Sequence, residues 1–343
     1  MKAIVCSRYG PPEVLKLQEV EKPSPKDDEV LVRVRATTVT MGDCEIRRFK
    51  MPIWLWPLAR IGFGFRGPRK RILGQELAGD VDSVGVAVTR FKAGDQVFAL
   101  TGLHLGAYAE FDSLPEKGLI ATKPPGMTYE EAAAIPLGGL HAAHFLREAD
   151  IKRGQSLLII GAGGSIGTVA VQIGKSLGAE VTAVDSGAKL AMLRSIGADK
   201  VIDYTKEDFA KSGEKYDVIF DVIGKASFST CLRSLKETGF YLMGNPGLAQ
   251  ILRRLLNSRG GRVVGGAASY TSEDLAFLKE LIESGRVRSV IDRQYPLERM
   301  AEAHTYVDTG QKAGNVVVTV GWAAGPDVRA SGLVGESATP QEC

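Results

Sequence analysis

LLIIGAGGSIGTVAVQIGKSLGAEVTAVD, residues 157–185, decides the fold. It opens on a continuous apolar run, turns through glycines, continues with helical apolar spacing, and ends in a second strand-like run over 180–185. Continuous apolar strands alternating with helices indicate a parallel sheet covered on both faces. Gly161, Gly164 and Gly167 fall three apart, with Ser165 and Ile166 between the last two. A turn without Cβ atoms lets backbone N–H groups approach a pyrophosphate at the helix N-terminus, where the dipole favours negative charge. Asp185 stands 21 residues after Gly164, the offset expected of a carboxylate that accepts the ribose hydroxyls. A glycine pattern alone is weak evidence, since a structural turn has the same spacing. Here the flanking strand, helix and acid make it a dinucleotide site. Asp185 repels a 2′-phosphate and argues for NAD, whereas Lys189 and Tyr204 could hold one and argue for NADP. The sequence leaves both open, and Lys189 also reads as a solvated helix residue.

The alternation continues outward. GAKLAMLRSIG (187–197) reads as a helix, and YDVIFDVIG (216–224) and GFYLMG (239–244) read as strands. TSEDLAFLKELIESG (271–285) opens with a capping-box pattern, Thr271 to Asp274, and places Leu275, Leu278, Leu281 and Ile282 on one face. Upstream, EVLVRVRA (29–36) alternates like a half-buried strand, and LAGDVDSVG (77–85), GDQVFAL (94–100) and GAYAEF (106–111) are short strands split by turns. A β-barrel-like unit is expected from 1 to about 125. The texture changes at 124–126, after which TYEEAAAIPLGGLHAAHFLREA (128–149) has helical spacing. NVVVTV (315–320) is a strand expected to rejoin the first unit, and 321–343, without periodicity, reads as a mobile tail.

Composition excludes several classes. The 343 residues allow two domains, and the formal net charge of +3, from 43 basic and 40 acidic residues, is too balanced for nucleic acid as the main partner. Cys6, Cys44, Cys231 and Cys343 form no CxxC pair, which fits free thiols in a reducing compartment. No apolar stretch reaches the ~20 residues of a membrane span, and MKAIV opens a strand rather than a signal peptide. The expectation is a cytoplasmic protein with no stable membrane insertion.

The chain resembles the medium-chain dehydrogenase/reductase superfamily, in its zinc-free quinone oxidoreductase (zeta-crystallin-like) branch, from residue 1 to about 320. The resemblance rests on YGPPEVLKLQEVEKPSPKDDEVLVRV, VTRFKAGDQVFAL, GAYAEF, EEAAAIP, GAGGSIG with LGA after it, and SIGADKVIDY, in that order. It implies an α/β protein with two domains. A GroES-like β-rich catalytic domain, 1–125, would be completed by 288–320. A Rossmann doubly wound parallel-sheet domain, 126–287, would be inserted between them, with the active site in the cleft. It also implies a homodimer, formed as Rossmann sheets pair near GRVVGGA (261–267).

In zinc-dependent relatives a Cys, a His and a Cys hold the catalytic metal. Those positions here are Thr40, Gln75 in RILGQELAGDV (71–81), and Leu137, and the cysteine-rich lobe for a second zinc is missing. Thr and Gln are poor zinc ligands and Leu is none, so no metal is expected. This selects the chemistry. Oxidising a simple alcohol requires loss of the hydroxyl proton, which zinc promotes by lowering the bound oxygen's pKa. Adding a hydride to a quinone or an α,β-unsaturated carbonyl places charge on a delocalised oxygen, for which a few hydrogen-bond donors suffice. The reading is therefore NAD(P)H-dependent reduction of a small hydrophobic quinone or carbonyl substrate. The alternatives are an alcohol dehydrogenase working without zinc, and a non-enzymatic cofactor-binding or RNA-binding protein.

Around the substrate the resemblance points to Thr40, where quinone reductases carry Asn, to Asp43, which matches the family's Asp or is a structural cap, and to His141, at a position normally Thr. His141 reads equally as a packed helix residue. Tyr108 and Tyr270 are weaker proton-donor candidates, and Asn245 falls beside the expected nicotinamide amide. The segment MPIWLWPLARIGFGFRGPRKR (51–71) is both aromatic and basic. It reads as a lid that walls a flat substrate or, less favoured, as a contact with lipid headgroups.

Overall fold

Eleven residues of one strand organise the N-terminal sheet. In the computed structural model, which describes residues 1–50, 56–245, 263–266 and 268–321 (for 57–59 the backbone alone), β1 (Lys2–Cys6) and β2 (Leu15–Glu19) form an antiparallel pair, and β3 (Glu29–Val39) follows. Helices α1 (Met41–Arg48) and α2 (Trp56–Phe63) precede β4 (Glu76–Val84), β5 (Gln96–Leu100), β6 (Phe111–Pro115) and β7 (Leu119–Thr122). β3 pairs with β4 along one edge; on its other edge its first half takes β6. The strand is buried on both faces over 29–32, and Val30, Val32 and Val34 enter one core with Leu77, Val81, Val97 and Ile120.

The chain then crosses to the second layer through α3 (Tyr129–Ala133) and α4 (Pro136–Glu148). The helical spacing over 128–149 thus becomes two helices. Pro136 has no N–H with which to continue the ladder of α3, so one helix ends before it, and it stands at the first position of α4, where a helix needs no N–H. Next come β8 (Ser156–Ile160), α5 (Ser165–Ser176), β9 (Glu180–Asp185), α6 (Leu190–Ser195), β10 (Lys200–Asp203), β11 (Tyr216–Asp221), α7 (Phe228–Ser234), β12 (Leu235–Met243) and β13 (Val263–Gly265). All these strands are parallel, in the order β10-β9-β8-β11-β12-β13. The order reverses between β8 and β11, so a crevice opens at their carboxyl ends. Leu157 and Ile159 pack on one face with α4 and α5, while Leu158 and Ile160 pack on the other with Phe228 of α7. Two buried faces are why these strands read as unbroken apolar runs.

Helix α8 (Ser272–Glu283) carries the expected capping box, with Thr271 Oγ1 accepting from the Asp274 N–H and Asp274 accepting from the Thr271 N–H. The chain returns through β14 (Ile291–Pro296), α9 (Met300–Asp308) and β15 (Asn315–Thr319). β15 pairs antiparallel with the second half of β3, so the final strand does rejoin the first sheet. GAYAEF is not a strand: only Ala109 bridges to Ala3, and β6 begins at Phe111. The segment 322–343 lies outside the described residues, as do 261, 262 and 267 of the expected dimer strand. No helix among the described residues is long and apolar enough to cross a membrane.

The return segment is pinned by charge. Arg47 of α1 is fully buried and donates to Asp308 Oδ2 of α9 at 2.6 Å, and Arg48 reaches the same oxygen. Beside them Cys44 Sγ lies 3.3 Å from His304 Nδ1, and His304 Nε2 lies 3.1 Å from Tyr108 Oη. Removing one member of a buried pair leaves an uncompensated charge, which typically costs ~3–5 kcal/mol. Asp308→Ala is therefore expected to lower the unfolding free energy by about that amount. Urea denaturation followed by tryptophan fluorescence measures it, and a loss below ~1 kcal/mol would mean that the pair is not what holds α9.

Candidate active site

A cavity of about 430 Å³ opens between the two layers. Its wall includes Leu100 at the end of β5, Leu119 of β7, Leu137 in the first turn of α4, Gln75 before β4, and Tyr270 before α8. Most of this surface is hydrocarbon, broken by the Gln75 amide, the Thr101 hydroxyl, His104 and the Tyr270 hydroxyl. That mixture suits a flat apolar molecule with an oxygen to be held.

Behind the wall, Glu76 is buried between the sheets. Its carboxylate accepts from the Thr38 hydroxyl of β3 and, at 2.8 Å, from the Leu137 N–H of α4. Burial pushes its pKa up to about 7 against these two donors. Thr40 caps α1: its Oγ1 accepts from the Asp43 N–H at 3.1 Å and donates to Asp43 Oδ2 at 2.6 Å. A Cβ on Gly42 would stand 3.0 Å from Gln75 Oε1 and 3.5 Å from Thr40 Oγ1, so Gln75 lies over the turn that Thr40 caps. The three positions that correspond to zinc ligands thus converge, but as a committed hydroxyl, an amide and a hydrocarbon. That donor set does not fit zinc. Among the described residues no group of three or more His, Cys, Asp or Glu is placed to hold a metal ion.

The dinucleotide end is built from the glycine loop. Gly161 takes a φ of +80°, open to glycine without strain, and a Cβ on Gly167 would stand 2.5 Å from the Ala162 backbone. α5 then starts at Ser165, with Ile166 packed against the core. Asp185 is already engaged. Its Oδ2 accepts from the Gly163 N–H at 2.7 Å, its Oδ1 from the Ser186 N–H at 2.8 Å, and Lys189 Nζ lies 3.1 Å from Oδ1. Tyr204 follows β10, its N–H donating to the Asp185 carbonyl, with its side chain exposed beside them. The close helix–strand approach, the anchored loop and the positive helix end fit an adenine dinucleotide.

The segment before β15 closes this loop. The Gly314 N–H donates to Gly163 O at 2.8 Å, and Lys312 Nζ donates to Ser165 Oγ and Gly314 O, both at 2.6 Å. Burial holds the Lys312 ammonium down to about 8, although Glu76 attracts it. Lys312 was not legible in the sequence, where a lysine after Gly310 and Gln311 looks like a solvated turn. Only the docking of Gly314 on the glycine loop places it.

His141 of α4 reaches the cavity through Tyr270. Its Nε2 lies 3.1 Å from Gly244 O, just after β12, and its Nδ1 lies 2.7 Å from Tyr270 Oη. A carbonyl can only accept, so Nε2 carries the proton, Nδ1 accepts, and Tyr270 donates. Tyr270 therefore turns oxygen lone pairs, not its proton, to the cavity. Asn245 is exposed one residue beyond Gly244. Tyr108 is fully buried, its hydroxyl directed to His304, and neither Tyr108, Thr40 nor His141 itself lines the cavity.

This geometry agrees with known proteins. Residues 26–125 match the alcohol dehydrogenase GroES-like domain and 196–318 match a family described as zinc-binding dehydrogenase. The chain is 33% identical over 330 residues to the NADPH-dependent alkenal/one oxidoreductase of Arabidopsis thaliana chloroplasts, covering 93% of this chain and 79% of that protein. It is 32% identical over 336 residues to a quinone oxidoreductase of Pseudomonas aeruginosa, covering 92% and 99%. The solved quinone oxidoreductase of Coxiella burnetii superposes with a TM-score of 0.82 at 27% identity, covering 93% and 99%. The chain belongs to the medium-chain dehydrogenase/reductase superfamily, a class of two-domain dinucleotide-dependent oxidoreductases. Within it, its place is the quinone oxidoreductase branch.

Burial, opposed by the Gly244 carbonyl and reinforced by His144, pushes the His141 pKa down to about 4 from its usual 6.5. The ring is thus neutral throughout the physiological range. Because the unfolded chain takes up this proton first, His141 costs nothing above pH 6.5 and destabilises the fold as pH falls toward 4. Imidazole ¹⁵N spectra should show the Nε2–H tautomer, with no His141 titration between pH 6 and 8. A midpoint near 6.5 would mean an open, unbonded ring.

Proposed function

We propose that this protein is a zinc-independent reductase of quinones or α,β-unsaturated carbonyls that uses NAD(P)H. One observation carries the reading: the cavity that stands at the zinc position is walled by Leu137 and Gln75, with Thr40 spent on Asp43. When bound, the reduced nicotinamide supplies a hydride. The chain's residues then have three tasks. The loop of Gly161, Gly164, Ser165, Ile166 and Gly167 holds the pyrophosphate against α5, with Lys312 adding positive charge at Ser165. Leu100, Leu119 and Leu137 exclude water and seat the flat substrate. The Gln75 amide N–H donates to the substrate oxygen on which charge develops. Water delivers the final proton, since Tyr270 has its own proton on His141.

In this arrangement Thr40, Tyr108 and His141 are positioning residues. Thr40 holds the turn under Gln75, Tyr108 braces α1 against α9, and His141 orients Tyr270. Asn245, exposed beside Gly244, would meet the nicotinamide amide in this reading. Alcohol oxidation without zinc is less well supported, because burial holds His141, behind Tyr270, down to about 4 and lifts Tyr270 to about 12, both poorly matched to a base at neutral pH.

We favour NADPH. The Asp185 carboxylate is consumed by the loop and neutralised by Lys189, which weakens its repulsion of a 2′-phosphate, and Lys189 with Tyr204 can bind one. The relative named as NADPH-dependent supports this. The domain division at about 125 and 288, a cytoplasmic location, and a homodimer through the edge strand β13 belong to the same reading.

A panel of NADPH or NADH with quinones, enones, aldehydes and simple alcohols, run on chelator-treated protein, tests it. Turnover of enones or quinones that survives the chelator is expected; turnover of alcohols alone, or loss with the chelator, overturns it. Gln75→Leu should lower kcat/KM about 10- to 100-fold, some 1.4–2.7 kcal/mol of transition-state stabilisation, with cofactor affinity unchanged in fluorescence titration. Lys189→Ala should raise the NADPH KM about tenfold and leave that of NADH nearly as it was. Equal effects on both cofactors would mean that Lys189 serves only to neutralise Asp185.

A further inference from the structure

The described part of the aromatic and basic segment, 56–71, contributes no residue to the cavity wall, so nothing in it walls the substrate as a lid would. It is instead fastened to the outside of the N-terminal domain. The Arg60 guanidinium stands 4.0 Å over the Phe49 ring, 5.1 Å over Tyr9 and 5.3 Å over Trp56. The loop after α2 is locked as well. The Arg69 N–H donates to Phe63 O at 2.7 Å, Tyr9 Oη donates to Gly64 O at 3.0 Å, and Pro68 is buried. A Cβ on Gly67 would stand 2.3 Å from Ser7 O, so this loop sits directly on the domain.

These anchors do not bury the loop's apolar residues. Phe65 is 69% exposed, Ile61 57% and Trp56 44%. Arg66, Arg69, Lys70 and Arg71 of the same segment are exposed, and so is Arg8 next to Gly67. A loop free to collapse would fold Phe65 inward; this one is held with the ring in water. Apolar side chains that project from a fixed base, in a segment that also exposes four cations, suit a partner with an apolar interior and an anionic surface. Nucleic acid and acidic protein supply the charge but offer little into which Ile61 and Phe65 can insert.

We propose that this face docks on anionic phospholipid surfaces, with Ile61, Phe65 and the Trp56 edge entering the headgroup boundary and Arg66, Arg69, Lys70 and Arg71 pairing with lipid phosphates. The contact is peripheral and reversible. The attraction of each basic residue to such a surface is screened within a Debye length, so binding falls steeply with salt. The inference rests on surface exposure and stands whether or not the reductase reading holds.

Co-sedimentation of the full chain with phosphatidylglycerol vesicles, and with phosphatidylcholine vesicles as the neutral control, tests it. Partition onto phosphatidylglycerol at ~0.05 M salt, reduced at least tenfold at ~0.5 M and at least tenfold lower on phosphatidylcholine, is expected. Ile61→Asp with Phe65→Asp, and separately Arg66→Ser with Arg69→Ser and Lys70→Ser, should each abolish partition while circular dichroism and turnover of a water-soluble enone or quinone stay unchanged. No partition of the native chain, or partition indifferent to both variants, overturns the proposal. So does self-association of the native chain that Phe65→Asp dissolves in the absence of lipid, which would make a second copy the occupant. A raised KM for the soluble substrate with unchanged vesicle binding would restore the lid.

Discussion

The carboxylate of Glu76 is the constraint on which the site depends. It is buried at the meeting of the two layers, where it accepts from Thr38 on β3 and from the first-turn N–H of Leu137 on α4. One side chain therefore sets the distance between the catalytic sheet and the helix that carries both Leu137 and His141. A carboxylate in such a place is costly unless hydrogen-bonded, and burial has already raised its pKa to about 7. Gln75, its neighbour in the chain, is held over the cavity because Glu76 is held beneath it. Thr40, Gln75 and Leu137 offer no zinc-type donor set, while Glu76 fixes the turn that carries Gln75.

The same economy governs the cofactor end. The C-terminal segment returns to the first sheet as β15, and on the way Gly314 docks on the glycine loop and Lys312 reaches Ser165. Closing the N-terminal domain and completing the dinucleotide site are one structural event. Glu76 and Lys312 feel each other electrostatically across this junction, and each moderates the other's burial. Geometry and charge at this junction are thus shared by segments more than 200 residues apart in sequence.

Much of the fold was legible because it depends on local rules. Gly161, Gly164 and Gly167 declare a close approach of backbone, Thr271 and Asp274 declare a helix start, and apolar runs declare strands covered on both faces. Where reading failed, a longer-range contact or a steric veto intervened. Pro136 divided one helical pattern into two helices. GAYAEF divides its backbone bonds among Leu73, Gly74, Ile4, Lys2 and Val34, so no single strand pairs with it. Asp185, spaced as a ribose ligand, also accepts from the Gly163 N–H, a contact that spacing along the chain does not reveal. Tyr270 was legible as a hydroxyl but not as one that spends its proton, which required Gly244 and Tyr270 to be set on either side of the His141 ring.

By itself the sequence determined the superfamily, the dinucleotide loop, and the absence of zinc-type donors at Thr40, Gln75 and Leu137. These follow from residue identity and short spacing, which survive translation into any fold of this class. Tertiary structure alone decided which way each polar atom faces: the Tyr270 proton toward His141, the Asp185 oxygens toward the glycine loop, Lys312 into the junction, and Phe65 out into solvent. Hydrogen-bond direction and burial depend on what lies within about 3 Å, and in a folded chain those neighbours come from everywhere in the sequence.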